Sequence, residues 1–314
     1  GRMEPLSQHG RPEFSLLHIS DTHLLAAGKR LYGAVDAEER LVNLLQRVHR
    51  SEHDVRAVVF TGDLADLGEP DAYQRLKDAV EPVVAEMGAR LVWVMGNHDE
   101  RAPFAEVLLG AQPTDQPLDA VYDIDGLRLI ALDTSVPGYH HGELRPAQLE
   151  WLAQTLPDPA PHGTLLALHH PPIPTPIDIM GVLELQQQQE LWEAIEGSDV
   201  RGMVAGHLHY STHATYRGIP VSVAAALCYN LDLAPADGSI LRGINSAHTA
   251  SLVSIYPTQV VFSELPAHEL DEVFLRTDEG VDTVRRMSLQ ERHEVLSKKT
   301  SDYNMAERTR ELGD

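Results

Sequence analysis

Asp21-Thr22-His23, Gly62-Asp63, Gly96-Asn97-His98-Asp99, His169-His170-Pro171-Pro172 and Gly206-His207-Leu208-His209 are five short clusters whose side chains could hold metal ions. Carboxylate, amide and imidazole groups mix hard oxygen with intermediate nitrogen donors, which suits divalent first-row metals. Asp21 and His23 are two apart, as are His207 and His209. In extended backbone, residues at that spacing project to one side, so each pair can bring two donors to one point. Gly62, Gly96 and Gly206 each precede a candidate ligand, where a missing Cβ lets the chain turn sharply. Pro171-Pro172 stiffens the segment after the His pair. None of the five clusters contains Cys, which argues against a structural zinc ribbon. Taken singly, any of them could be a turn, since Gly, Asn and Asp favour turns in their own right.

What joins them is position. Each closes a short apolar run, at residues 14–19, 55–60, 90–95, 164–168 and 200–204. These runs read as buried strands, β-branched or Leu-rich and cut off by polar residues or Gly. Five strand ends carrying ligand-type side chains can meet at one edge of a sheet. Helical patterns alternate with the runs. Asp36-Ala37-Glu38-Glu39 opens a helix with Leu41, Leu44, Leu45 and Val48 on one face. A second helix is expected from Pro70 to the stop at Gly88, with Pro82 as a point where it kinks or splits. Residues 121–133 read as a hairpin turning at Asp125-Gly126. Pro146 begins a helix through Leu149, Leu152 and Leu156, and Gln186–Gln189 reads as the solvated face of another.

Composition narrows the classes. The chain has 314 residues, 43% hydrophobic, enough for one large α/β core. A net charge of −22 argues against tight binding to a nucleic-acid polymer, which needs a basic surface. A small anionic substrate is compatible with it where metals supply the local positive charge. The one cysteine, Cys228, cannot form an intrachain disulfide and fits a reducing, cytoplasmic setting. No apolar run approaches about 18 residues and no N-terminal apolar leader is visible, so no transmembrane segment is expected. The domain organisation expected is an N-terminal tail at 1–12, a catalytic domain at 13–265 and a polar C-terminal extension at 266–314. That extension is too poor in large apolar residues to build its own core.

The order D-x-H, G-D, G-N-H-D, H-H-P-P, G-H-x-H resembles the calcineurin-like metallophosphoesterase superfamily over roughly residues 13–265. Within it, the motifs most resemble the class III cyclic nucleotide phosphodiesterases of mycobacterial type. The stretches 30–36, 140–143 and 219–224 also look like that type. The resemblance implies a four-layer αββα sandwich of two mixed sheets flanked by helices, with a dinuclear metal site at the strand C-terminal edge. It implies Asp21, His23 and His209 on one metal, Asn97, His169 and His207 on the other, and Asp63 bridging both. The ions would be Fe, Mn or Zn, and the chain a homodimer. Two metals about 3.5–4 Å apart would make a bridging hydroxide available to attack a cyclic nucleotide of cAMP type, yielding a nucleoside monophosphate.

In that scheme the substrate phosphate lies against His23, Asn97, His98 and His209, with His140 at the pocket mouth. His98 is the catalytic residue that protonates or stabilises the departing oxygen, since an ordinary imidazole is partly protonated near neutrality. Asp66 and Asp99 are candidates to orient His98 or the ligand imidazoles, or else cap turns, and His170 supports its loop.

Departures from other branches matter as well. The phosphoprotein phosphatases carry Gly-Asn-His-Glu and an Arg phosphate clamp, whereas the third motif here ends in Asp99. Purple acid phosphatases place Tyr where this chain has Asp66, and lipid A pathway hydrolases place Arg where it has His98. The alternatives are a broader phosphodiesterase acting on glycerophosphodiesters and a non-catalytic scaffold. Loss of ligands would mark the scaffold, and all seven ligands and His98 are present.

Overall fold

Alternation along the strands sorts the core into layers. β1 (Phe14–Ile19) sends Leu16 to one side and Leu17 and Ile19 to the other. β2 (Val55–Phe60) does the same with Ala57 and Val59 against Val58 and Phe60. In β5 (Leu127–Leu132) and β6 (Thr164–Leu168), Leu129, Ala131, Leu165 and Ala167 face Ile130, Leu132, Leu166 and Leu168 across the pleat. The first set from all four strands forms a single apolar layer between two sheets. The second set is covered by helices. Period-2 burial on both faces is what a sheet enclosed on both sides requires.

The first sheet has the order β13-β12-β1-β2-β3, with β3 at Arg90–Trp93, β12 at Thr249–Ile255 and β13 at Val260–Pro266. The second has the order β4-β5-β6-β7-β9-β8, with β4 at Ala120–Ile124, β7 at Val200–Ala205, β8 at Thr212–Tyr216 and β9 at Ile219–Val223. α1 (Ala37–His49), α2 (Pro70–Met87) and α3 (Arg101–Leu108) bury Leu41, Leu76 and Phe104 against the first sheet. α4 (Pro146–Thr155) and α5 (Gln188–Ile195) bury Leu152 and Leu191 against the second. The result is the four-layer αββα sandwich of two mixed sheets. β1, β2 and β3 run parallel, as do β5, β6, β7 and β9, so their C-terminal ends emerge along one edge.

Local signals act as their chemistry dictates. The Asp36 side chain accepts from the Glu39 amide at 3.3 Å and caps α1, an interaction worth about 1 kcal/mol. α2 starts on Pro70 and stops at Gly88, which takes the left-handed conformation a helix stop favours (φ 69°). Pro82 does not split α2, which runs from Pro70 to Met87 with the Pro82 ring on its exposed face. β3 ends at Trp93 rather than at residue 95, because the chain leaves the ladder to pass over Asp63. Of the glutamine run, only Gln188 and Gln189 are helical. Gln187 accepts from the Leu144 amide at 2.8 Å, so it ties two loops together rather than facing solvent.

The computed structural model describes residues 5–313, and these divide into two compact units. One is Pro12–Leu270, which carries both sheets. It extends past residue 265 because Ala267 is buried and its amide donates to His248 O at 2.9 Å. The other joins residues 5–11 with 271–313 and holds α6 (Val281–Arg286), α7 (Leu289–Arg292) and α8 (Asp302–Glu311). None of its described residues is buried, in keeping with a segment too polar for a core. Among the described residues, no helix is long and apolar enough to cross a membrane.

Candidate metal centre

The strand ends turn in an unusual way. Asp21, His23, Asp63, His207 and His209 all adopt left-handed backbone, with φ between 46° and 75°. The two-apart pairs therefore reach one point through tight turns beyond β1 and β7, not through the alternation of an extended strand. Left-handed backbone costs a residue with a Cβ roughly 1–3 kcal/mol, and it persists where the surroundings impose it. The glycines work partly by another route as well. Gly62 has φ 94°, but Gly96 and Gly206 are not left-handed. A Cβ on Gly96 would stand 2.1 Å from Asp63 N, and one on Gly206 2.0 Å from Ser20 Oγ. They are glycine because two loops pass each other there with no room for a side chain.

Seven side chains converge. Asp21, His23, Asp63 and His209 each offer an atom within 4.8 Å of the others, and so do Asp63, His169 and His207. Asp63 is common to both groups. Its Oδ2 lies 3.4 Å from His23 Nε2 and 3.2 Å from His169 Nε2, while its Oδ1 accepts from the His98 amide at 2.8 Å. Asn97 donates through Nδ2 to His140 Nδ1 at 2.8 Å, which turns its Oδ1 toward His207 Nδ1, 3.1 Å away.

Acceptors behind the rings set which nitrogen faces inward. A carbonyl can only accept, so His169 Nδ1–H donates to Thr61 O at 2.6 Å and His209 Nδ1–H to Tyr229 O at 2.8 Å. His23 Nδ1 is held by the Asp66 carboxylate at 2.9 Å. Each of these rings therefore turns Nε2 inward. His207 is reversed: Nε2–H donates to Leu183 O at 3.0 Å, leaving Nδ1 to face the cluster. Such outer partners orient metal-ligating imidazoles and raise their basicity.

The cluster fits two cations. Asp21 Oδ1, His23 Nε2 and His169 Nε2 are buried and have no hydrogen-bond partner, and all three point into it. Orphaned acceptors of this kind are rare in folded proteins. Burial disfavours ionisation of Asp21 and Asp63, yet the imidazoles of His169, His209 and His23 hold both carboxyls well below the usual range. Burial likewise opposes charge on His169 and His209, but Asp63 and Asp21 push His169 up to about 9, and Cys228 followed by Asp21 pushes His209 up to about 10.

The remaining candidates fall into two sets. Asp66 serves His23 through its carboxylate and His98 through its carbonyl, which accepts from His98 Nδ1 at 2.9 Å. Asp99 touches no imidazole. It accepts from the amides of Leu64, Ala65 and Gly96 and from Tyr73 Oη, so it clamps the loops that carry Asp63 and Asn97. Burial, with the nearby Asp63 charge, raises its carboxyl to about 7. His170 bonds Thr134 Oγ1 at 2.7 Å and His140 O at 3.0 Å, tying down the loop whose His140 ring sits 4.8 Å from that of His98. Burial lowers His98 below an ordinary imidazole, with the nearby Asp63 charge opposing that shift.

Sequence reasoning missed Ser20, which donates to Asp21 Oδ2 at 2.6 Å, and Tyr229, whose ring lies 4.6 Å from His209. It also passed over Cys228, buried behind His209 with Sγ 3.7 Å from Nδ1. No motif marks these residues.

Two variants probe these supports. Asp66→Ala should weaken metal retention by about 10–100-fold, the usual cost of losing a partner behind a ligand. An unchanged dissociation constant in a competitive chelator titration would remove Asp66 from that role. Asn97→Ala should lower the affinity for one ion and leave the other, because an amide oxygen is a neutral, weaker donor. Loss of both ions together by elemental analysis would count against that assignment.

Residues 14–211 match the profile of the calcineurin-like phosphoesterases. The cAMP/cGMP dual specificity phosphodiesterase of Mycobacterium tuberculosis is 56% identical over 260 residues, covering 83% of this chain and 81% of that protein. A probable cyclic nucleotide phosphodiesterase of Rhodococcus erythropolis is 50% identical over 284 residues, covering 90% and 93%. A dimetal phosphatase from Danio rerio shares the fold, with a TM-score of 0.59 and 17% identity over 82% of this chain and 98% of its own. With its buried Asp and His cluster at the edge of two sandwiched sheets, the chain belongs to the calcineurin-like phosphoesterase family.

Proposed function

We propose that the chain is a dinuclear-metal phosphodiesterase that opens cyclic nucleotides, with Asp21, His23 and His209 on one ion, Asn97, His169 and His207 on the other, and Asp63 between them. The observation that carries this reading is Asp63, shared by two donor groups beside three orphaned, buried ligand atoms. The 56% identical relative named for cAMP and cGMP supports the substrate class. When bound, two such ions supply Lewis-acid stabilisation of phosphoryl charge and a nucleophilic water near neutral pH.

The protein's own groups do the rest. Asn97 and His98 are the partly exposed members of the cluster, so they face an arriving phosphate. Because His98 Nδ1–H is committed to the Asp66 carbonyl, Nε2 is the atom turned to substrate. An anionic phosphate beside it favours the imidazolium, whose Nε2–H then donates to the departing oxygen. Hydrogen bonding from the Asn97 amide and His170 keeps His140 at the rim, where it borders the phosphate position.

The reading extends to Fe, Mn or Zn as the ions, a cytoplasmic location and a homodimer. Exposed Leu233, Ile240 and Leu241 around the small β10 (Asn230–Leu231) and β11 (Gly243–Ile244) hairpin offer an apolar surface for pairing, and sedimentation velocity tests it. The substrate test is a hydrolysis screen with defined metals over 3′,5′- and 2′,3′-cyclic nucleotides and glycerophosphodiesters. Turnover of a cyclic nucleotide above that of glycerophosphodiesters is the expected outcome. A strong preference for glycerophosphodiesters would replace it.

A further inference from the structure

Beyond the metal ligands, aromatic rings continue outward in a row. The His23 and His209 rings are 5.0 Å apart, His209 and Tyr229 are 4.6 Å apart, and Tyr229 and Tyr32 are 5.6 Å apart. The row runs from the buried cluster to solvent, and its last member, Tyr32, is 81% exposed. The backbone that carries both tyrosines is held. Tyr32 sits in a turn closed by a bridge between buried Leu31 and Val35. Next to Tyr229, Cys228 O accepts from His248 Nε2 at 2.9 Å, and Asn230 Nδ2 donates to Ala226 O and Ser246 O.

The backbone of Tyr32 is the second observation. It is left-handed, at φ 51°, directly before Gly33 at 68°. A bulky side chain is an outlier there, where Asn, Asp or Gly fits with less strain. Burial does not offset that strain, because the ring faces water. Strained residues displayed beside a site are characteristically functional.

We infer that Tyr32 and Tyr229 form a subsite for the purine base of a nucleotide whose phosphate lies at the metal centre. This rests on the substrate class proposed above. Tyr229 walls the space next to His209, and Tyr32 offers a flat face one ring-spacing further out. The opposite rim is built from Asn97, His98 and His140, which are engaged with one another and with Asp66. Stacking uses the π face that every base has, so this subsite accepts adenine and guanine alike.

The test uses two ligands that differ only by the base, 5′-AMP and ribose 5-phosphate, titrated calorimetrically into the Mn²⁺-loaded full chain. The parent should bind 5′-AMP more tightly by about 5–150-fold, the range that one stacked base represents. Tyr32→Ala should bring that ratio close to one, and Tyr32→Phe, which keeps the ring, should retain it. The side chain is exposed, so neither variant disturbs the core. A Tyr32→Ala ratio equal to the parent's, or a parent that does not distinguish the ligands, overturns the subsite. A parent that opens no cyclic nucleotide yet keeps the ratio, with its loss in Tyr32→Ala, sinks the proposed substrate and leaves the subsite standing.

Discussion

Asp63→Ala is expected to release both metals and reduce phosphodiester hydrolysis to background. One carboxylate stands in both donor groups, with Oδ2 against His23 and His169 and Oδ1 holding the His98 amide. Its removal therefore takes a ligand from each ion and frees the loop that carries Asn97 and His98. It also leaves four inward-facing imidazoles with less negative charge between them, so cation binding loses its main electrostatic support. Asp63→Asn keeps the shape and one oxygen but removes the charge, and should fall between parent and Ala. Elemental analysis of the purified variants reads this directly. Two ions retained in Asp63→Ala, with turnover near the parent's, would exclude the bridging role.

His98→Ala should separate metal binding from chemistry. The ring offers no atom to either proposed ion group around Asp63, so both ions should remain. Turnover on a cyclic nucleotide, whose leaving alkoxide needs a proton, should fall by about 10²–10⁴-fold, the usual contribution of general acid catalysis. With bis(p-nitrophenyl) phosphate the loss should shrink, because p-nitrophenolate leaves unprotonated. A general acid works only while protonated, so the parent's kcat/KM should fall as pH rises through the lowered His98 pKa, and the variant should lose that fall. Equal losses on both substrates would make His98 a phosphate-positioning residue.

Much of the frame was legible because it rests on local chemistry. β1, β2 and β6 end where polar clusters interrupt apolar runs, the Asp125-Gly126 turn joins β4 to β5, and Asp36, Pro70 and Gly88 bound their helices. Residue type marked the five clusters, and the family resemblance picked from them the seven side chains that the fold brings together. What sequence did not reveal depends on backbone. The carbonyls of Thr61, Leu183 and Tyr229 decide which imidazole nitrogen faces inward, and a carbonyl carries no residue signature. The left-handed turns at Asp21, His23, His207 and His209 are set by tertiary contacts; Asp and His tolerate that region better than most residues, but nothing in the local sequence requires it. Gly96 and Gly206 looked like turn residues, whereas their role is to let loops touch, a relation between segments distant in sequence. For Asp99 the sequence leaves two roles open, orienting an imidazole or capping a turn, and the packing of the loops shows it accepting from their amides.

The central claim is that two ions held by these seven side chains open a cyclic phosphodiester. Titrating chelator-treated protein with Mn²⁺ while following hydrolysis of 3′,5′-cAMP tests it most directly. The account predicts no turnover without metal and a rise that saturates at two equivalents per chain, absent in Asp63→Ala. Saturation at one equivalent, or hydrolysis that persists in the chelated protein, would contradict it.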